Sequence, residues 1–324
     1  MRRRALLGIP PALLPVATPP AWGQARSWPA EHPIRFVVPV TPGGSHDIVA
    51  RLLARPLTET LGQSVLVENM PGAGSNIAFE FVARARPDGY TLLAGSDSLS
   101  INPALYPRVG YDPVSGFAPV ARTVRVPQIL VVRADGGARD LAAFLALARE
   151  QAVSVGTGGN GMIAHLLAAQ VQEATGTRWT FVPYRGGAPA INDLLAGVVQ
   201  SVAINVTPAT DHVRTGSLRG LFVSTPERLA ALPEVPTLAE AGVPAVPPTV
   251  GWQGVLAPAG TAQAIVARLN AALRQALRRP EVAERLAALG VEPLDEPPEA
   301  MSAVIRADAE RWAEVIRRAG IRPD

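Results

Sequence analysis

Ile34-Arg35-Phe36-Val37-Val38-Pro39-Val40-Thr41-Pro42-Gly43-Gly44-Ser45-His46-Asp47-Ile48 runs from an apolar strand through a glycine turn into a helix. Ile48, Leu52, Leu57 and Leu61 fall on one side of that helix. The same build returns more than a hundred residues later. There Val153-Ser154-Val155 leads into Gly156-Thr157-Gly158-Gly159-Asn160-Gly161, and a helix opens at Met162. Each unit aims backbone N–H groups at a helix start, where an anion binds well. The separation is too great for one motif. Two such units predict two similar domains with one small anionic ligand between them.

Outward from the first unit, Ser45 or Asp47 reads as the helix cap. Pro56 should kink or shorten the helix, and Gly62 should end it. A strand at 65–69 follows, then a third glycine loop, Pro71-Gly72-Ala73-Gly74-Ser75-Asn76, and a helix to about Arg86. The third strand, 90–94, ends in Gly95-Ser96-Asp97-Ser98. Strands alternating with helices predict a parallel sheet covered on both faces. The extended stretch 120–132 is the expected first crossing between domains. The pattern then repeats, with strands at 129–133, 153–155, 179–182, 202–206 and 218–224 and helices at 139–150, 162–174 and 188–196. The stretch 251–257 crosses back, and 261–319 is helical, its last helix packing on the first domain. The expected division is a signal peptide at 1–25, a first domain of 26–122 with 252–324, and a second of 123–251. Two crossings predict an α/β, hinged, two-lobed molecule with a cleft at the strand C-terminal ends.

The chain has 324 residues, 48% of them hydrophobic and 18% charged, which suits one large or two ordinary cores. It has no cysteine, which excludes disulfides and thiolate metal sites. Arg2-Arg3-Arg4, an apolar run and Gly23-Gln24-Ala25 form an export signal cleaved near Ala25. Removing it takes the formal charge from +3 to zero, so the basic balance gives no case for nucleic acid. No later run is long and apolar enough to span a bilayer. The mature protein is expected in a bacterial periplasm.

Gly156-x-Gly158-x-x-Gly161 also matches the dinucleotide fingerprint, but Pro183-Tyr184-Arg185 stands where an acid would bind the ribose. A purely structural turn is a third reading of the same glycines. The helix-terminus argument favours the small anion. Ser45-His46-Asp47 is no catalytic triad, since consecutive residues cannot point at one another in that geometry. His46, at the turn tip, faces either ligand or solvent. His165, one turn into the second helix, reads as packed or hydrogen-bonded. The four histidines have no metal spacing. Asp97 lies at the surface or in the cleft, where it would favour a ligand bearing an ammonium group.

At these residues the chain resembles the Bug-type periplasmic solute-binding proteins of tripartite tricarboxylate transporters. The resemblance covers about 30–324. It is carried by the first glycine unit, by Val67-Glu68-Asn69-Met70-Pro71-Gly72-Ala73-Gly74 and by Pro87-Asp88-Gly89-Tyr90. The 156–161 turn with His165, Val182-Pro183-Tyr184-Arg185-Gly186-Gly187 and Leu256-Ala257-Pro258-Ala259-Gly260-Thr261 add to it. The resemblance implies a two-domain periplasmic-binding-protein fold (Venus-flytrap, type II) with two crossover strands, no catalysis and no cofactor. It implies a monomer that captures a small carboxylate: a dicarboxylate, tricarboxylate, acidic amino acid or aromatic acid. The loaded form would dock on a permease of one large and one small membrane subunit, or present its ligand to a sensor kinase. The expected ligand-binding residues are Thr41, Gly43, Gly44, Ser45, His46, Asp47, Ser96 and Asp97 on one lobe. On the other they are Gly158, Gly159, Asn160, Gly161, Tyr184 and Asn205. Departures from the family pattern are His46 for a small residue, Gln200 for an aspartate, Ala203 for a bulky apolar residue and Gly216-Ser217 for Gly-Lys. Gln200 and Ala203 are expected to reshape the distal pocket.

Overall fold

A computed structural model describes residues 28–136 and 138–323; the expected signal peptide lies outside them. In chain order the first elements are β1 (Ile34–Val38), α1 (Ser45–Leu61), β2 (Val65–Asn69), α2 (Asn76–Ala83), β3 (Thr91–Ser96) and α3 (Ser98–Leu105). The long β4 (Phe117–Arg133) leads to α4 (Leu141–Glu150), β5 (Val153–Thr157), α5 (Ile163–Thr175), β6 (Trp179–Pro183) and α6 (Gly187–Leu195). Then come β7 (Ser201–Asn205), α7 (Thr210–Arg214), β8 (Leu218–Val223) and β9 (Val250–Pro258). The chain closes with α8 (Gln263–Leu277), α9 (Pro280–Ala288), β10 (Glu292–Pro293) and α10 (Pro298–Ala319).

The two halves have one strand order. In the first, β2, β1 and β3 run parallel, and β9 and then β4 continue the sheet antiparallel. In the second, β6, β5 and β7 run parallel, followed by the far half of β4 and then β8. Each half holds one antiparallel strand, β9 in the first and the far half of β4 in the second, and β4 is the strand that belongs to both. β4 changes partners in mid-strand: 117–127 pair with β9, and from Gln128 onward it pairs with β7 and β8. Pro127 stands at that change and Pro119 beside a register shift. A residue without an N–H is tolerated where the ladder is interrupted. The two crossings are thus β4 and β9, and the architecture is the α/β fold with two crossover strands that the sequence predicts.

Several local features differ from expectation. α1 is not shortened at Pro56; it continues to Leu61 and ends at Gly62, φ 68°. Val49, Leu53, Leu57 and Leu61 bury that helix face, which offsets one lost backbone bond. Its N-cap is Gly44, with no side-chain cap, rather than Ser45 or Asp47. α3 and α7 had no clear sequence signal, being short, and α3 contains Pro103. α10 packs on both halves, not on the first alone. Trp312, Val315 and Ile316 join Ile101 and Leu105 of α3 and Ile163 and Leu166 of α5 in one apolar cluster. Arg318 adds an ion pair to Glu173 of α5 at 3.0 Å.

Candidate functional site

The register brings the C-terminal ends of the two parallel sets to one junction. Ser96, the last residue of β3, pairs with Gln253, and Asn205, the last of β7, pairs with Gln128. Between these pairs Val126 lies opposite Gly251. The loops after β1 and β3 therefore meet those after β5, β6 and β7 where β4 changes partners.

On the first half, Thr41 is exposed at the loop tip. Its carbonyl accepts the Gly44 N–H at 3.4 Å. Gly44 leaves the first N–H groups of α1 without a side-chain cap. Ser45 Oγ accepts from Gln253 Nε2 at 3.3 Å and lies 3.5 Å from His46 Nδ1. His46 Nε2 is enclosed and has no partner among the described residues. Burial pushes the His46 pKa down to about 4, so the ring is neutral at pH 7.

Asp47 shapes this loop from behind. It is 3% exposed and accepts from Gly43 N–H at 2.9 Å, from Arg51 Nε at 3.0 Å and from Asn69 Nδ2 at 2.9 Å. Burial alone would raise its pKa; the bonds from Arg51, Gly43 and Asn69 outweigh it and hold the carboxyl below its usual range. The stabilisation is thus present above the ordinary carboxylate pKa and is lost as acid protonates the folded state. Asp47→Asn turns an amide N–H toward these donors. It is expected to cost about 1–3 kcal/mol at pH 7, read by urea denaturation, and the cost should shrink toward pH 3.

On the second half the N–H groups of Gly158 and Gly159 make no hydrogen bond among the described residues. Gly161 (φ +67°) gives its N–H to His165 Nδ1 at 3.0 Å. Its Cα faces Leu105 of α3, across the halves. Asn160 Nδ2 donates to the Arg322 carbonyl at 2.6 Å. The Tyr184 hydroxyl donates to Asp193 at 2.7 Å, and burial and this carboxylate push its pKa to about 12. Gly186 donates to the Gly158 carbonyl and caps α6 without a side-chain bond. Asn205 Oδ1 and Thr207 Oγ1 are enclosed and unpartnered among the described residues.

Asp97 lies buried at the junction rather than in an open cleft. Its Oδ2 accepts the Trp252 N–H at 3.3 Å, and it flanks Gly251 together with Gln128 Nε2. Burial first, and the neighbouring Asp308 second, push its pKa up to about 7. Asp308 in turn accepts from Trp252 Nε1 at 2.8 Å.

The expected residues therefore divide. Gly43, Gly44, Ser45, His46, Ser96, Gly158, Gly159, Tyr184 and Asn205 stand at the junction or on the turns that reach it. Asp47 and Gly161 spend their polar groups on holding those turns. Gln128, Gln253, Gly186 and Thr207 also stand at the junction and were not among the expected residues; each glutamine interrupts an apolar crossover strand, which was the available signal. Gln200 and Ala203, expected to reshape the distal pocket, lie away from the junction. Gln200 precedes β7 at its far end and accepts from Ser154 N–H at 2.8 Å, while Ala203 is buried under α4 and α5. Gly156 lies inside β5 rather than in the turn, unlike the first glycine of a dinucleotide loop. Among the described residues no cluster of His, Cys, Asp or Glu fits a metal, and no helix is long and apolar enough to cross a membrane. A groove of about 800 Å³ beside His32, Arg35 and Arg84 opens at the strand N-terminal ends, away from these loops. Its Arg35 and Arg84 pair with Glu68 and Glu80.

Residues 49–321 match the family described as tripartite tricarboxylate transporter family receptor, TctC. Protein BugT of Bordetella pertussis is 37% identical over 323 residues, covering 98% of each chain. R. palustris Rpa4515 with adipate superposes with a TM-score of 0.86 at 35% identity, covering 92% of this chain and 100% of that one. MatC from Rhodopseudomonas palustris with bound malate gives a TM-score of 0.80 at 32% identity, covering 89% and 99%. The chain belongs to the tripartite tricarboxylate transporter receptor family, whose members are solute-binding receptors and not enzymes.

Proposed function

We propose that this chain is a periplasmic receptor that closes on a small dicarboxylate and hands it to the membrane subunits of a tripartite transporter. The closing bodies are 26–122 with 252–324, and 123–251. One observation carries the reading: N–H groups of two uncapped helix starts, α1 behind Gly44 and α6 behind Gly186, lie on turns that meet at one junction. The N–H groups of Gly158 and Gly159 join them. Oriented N–H groups at helix starts favour a negative ligand without needing a guanidinium. Donors on both sides suit a ligand with oxygen acceptors at both ends. The adipate and malate bound to the two structural relatives are acids of that form.

The expected result is thermal stabilisation of the purified protein by at least one of malate, succinate, adipate or citrate. At a hundredfold excess over Kd the gain is about 2.7 kcal/mol. Acetate, with one carboxylate, should stabilise less. If none of the four acids shifts the transition or gives heat by calorimetry, the reading fails.

A further inference from the structure

Ser45 Oγ accepts from Gln253 Nε2, so its own hydrogen remains to be placed. Among the described residues the one acceptor within reach of that hydroxyl is His46 Nδ1, at the outer limit of such a contact, 3.5 Å. A hydroxyl donating there leaves the ring proton on Nε2. That N–H is enclosed and has no acceptor among the described residues. It stands on the second residue of α1, among N–H groups of the helix start that also lack a side-chain cap. A buried donor left unpaired calls for an explanation, and a ligand oxygen at this helix start supplies one.

We propose that His46 is a specificity-determining residue of the carboxylate site: its Nε2–H donates to a ligand oxygen, and its ring sets how long a ligand the first lobe accepts. This rests on the receptor reading above. The contact is a neutral hydrogen bond, because burial keeps the ring uncharged near pH 7. The imidazole, beside Ser45, also fills space that a smaller side chain would leave to the ligand. The preferred class is then a short dicarboxylate, such as malate or succinate, over the longer adipate.

Three variants separate donor from volume. His46→Phe keeps a ring and removes the donor; its affinity for the preferred acid should fall about tenfold. His46→Gln keeps an N–H donor and should stay within about threefold. His46→Ala removes both, so it should lose affinity for the short acid and gain it for adipate. Isothermal titration with malate, succinate and adipate reads all three, and near-UV circular dichroism confirms native packing. A Phe variant binding as tightly as the unsubstituted protein overturns the donor role. An Ala variant with an unchanged ratio of short to long acids overturns the length role. Either result leaves the receptor reading intact. A failure of the unsubstituted protein to bind any of these acids would remove both readings together. If the Phe variant does not fold, a Gln variant that loses tenfold or more overturns the donor role.

Discussion

At pH 8, Asp97→Asn is expected to be more stable than the unsubstituted protein by roughly 2–4 kcal/mol, at one pKa unit per about 1.4 kcal/mol. The Asp97 carboxyl is 6% exposed, and burial together with Asp308 lifts its pKa from 3.8 to about 7. Between those values the folded protein holds a proton that the unfolded chain has released. Stability therefore falls as pH rises through that window and levels off above it. Asparagine removes the slope and keeps a carbonyl oxygen for the Trp252 N–H. Near pH 4 both proteins carry a neutral side chain there, and the difference should vanish. Asp308, whose pKa is also raised by burial, leaves a smaller slope of the same sign in the variant. Guanidinium denaturation at pH 4, 6 and 8 reads the effect. Equal stability at pH 8 with an unchanged slope would show that Asp97 is not the titrating group.

Gly161→Val carries the largest expected loss, roughly 3–5 kcal/mol, from left-handed backbone strain and overpacking together. Gly161 has φ +67°, and a Cβ there would stand 2.2 Å from Leu105 Cδ2. Leu105 is buried in the cluster under α10 and has little room to retreat. Gly161 belongs to the second half and Leu105 to the first, so the added side chain acts as a wedge between them. Malate affinity should therefore fall as well as stability. Gly161→Ala should show the same pattern at smaller size. Urea unfolding of both variants checks this; losses under about 0.5 kcal/mol would show that the contact yields freely.

The fold was legible because it repeats. Two strand–glycine–helix units and two apolar crossings predict two similar halves, and β4 and β9 carry those crossings. The order within each half was less accessible, because the sequence does not say that β9 inserts between β3 and β4. α10 was assigned to one half because its periodicity shows an apolar stripe but not how many surfaces the stripe meets. At the site, the glycine turns were visible, but the direction of a side chain was not. Asp47 and Asp97 are both loop acids in the sequence. One folds back on Gly43, Arg51 and Asn69, and the other is enclosed beside Trp252 and Asp308. Gln253 had no role in the sequence reading; its bond to Ser45 gives it a place at the junction.

The strand order also sets a schedule for biosynthesis. β1, β2, β3 and the near half of β4 are made early, yet β9, which separates β3 from β4, comes more than a hundred residues after Ser96. Until it arrives β3 has a bare edge, the kind of surface that pairs with other chains. The second half also needs β4, but that strand precedes the rest of it, so its sheet can assemble while synthesis continues. The N-terminal half is thus the later of the two to be completed, and the nascent chain depends on being kept from aggregation until about residue 258 has emerged.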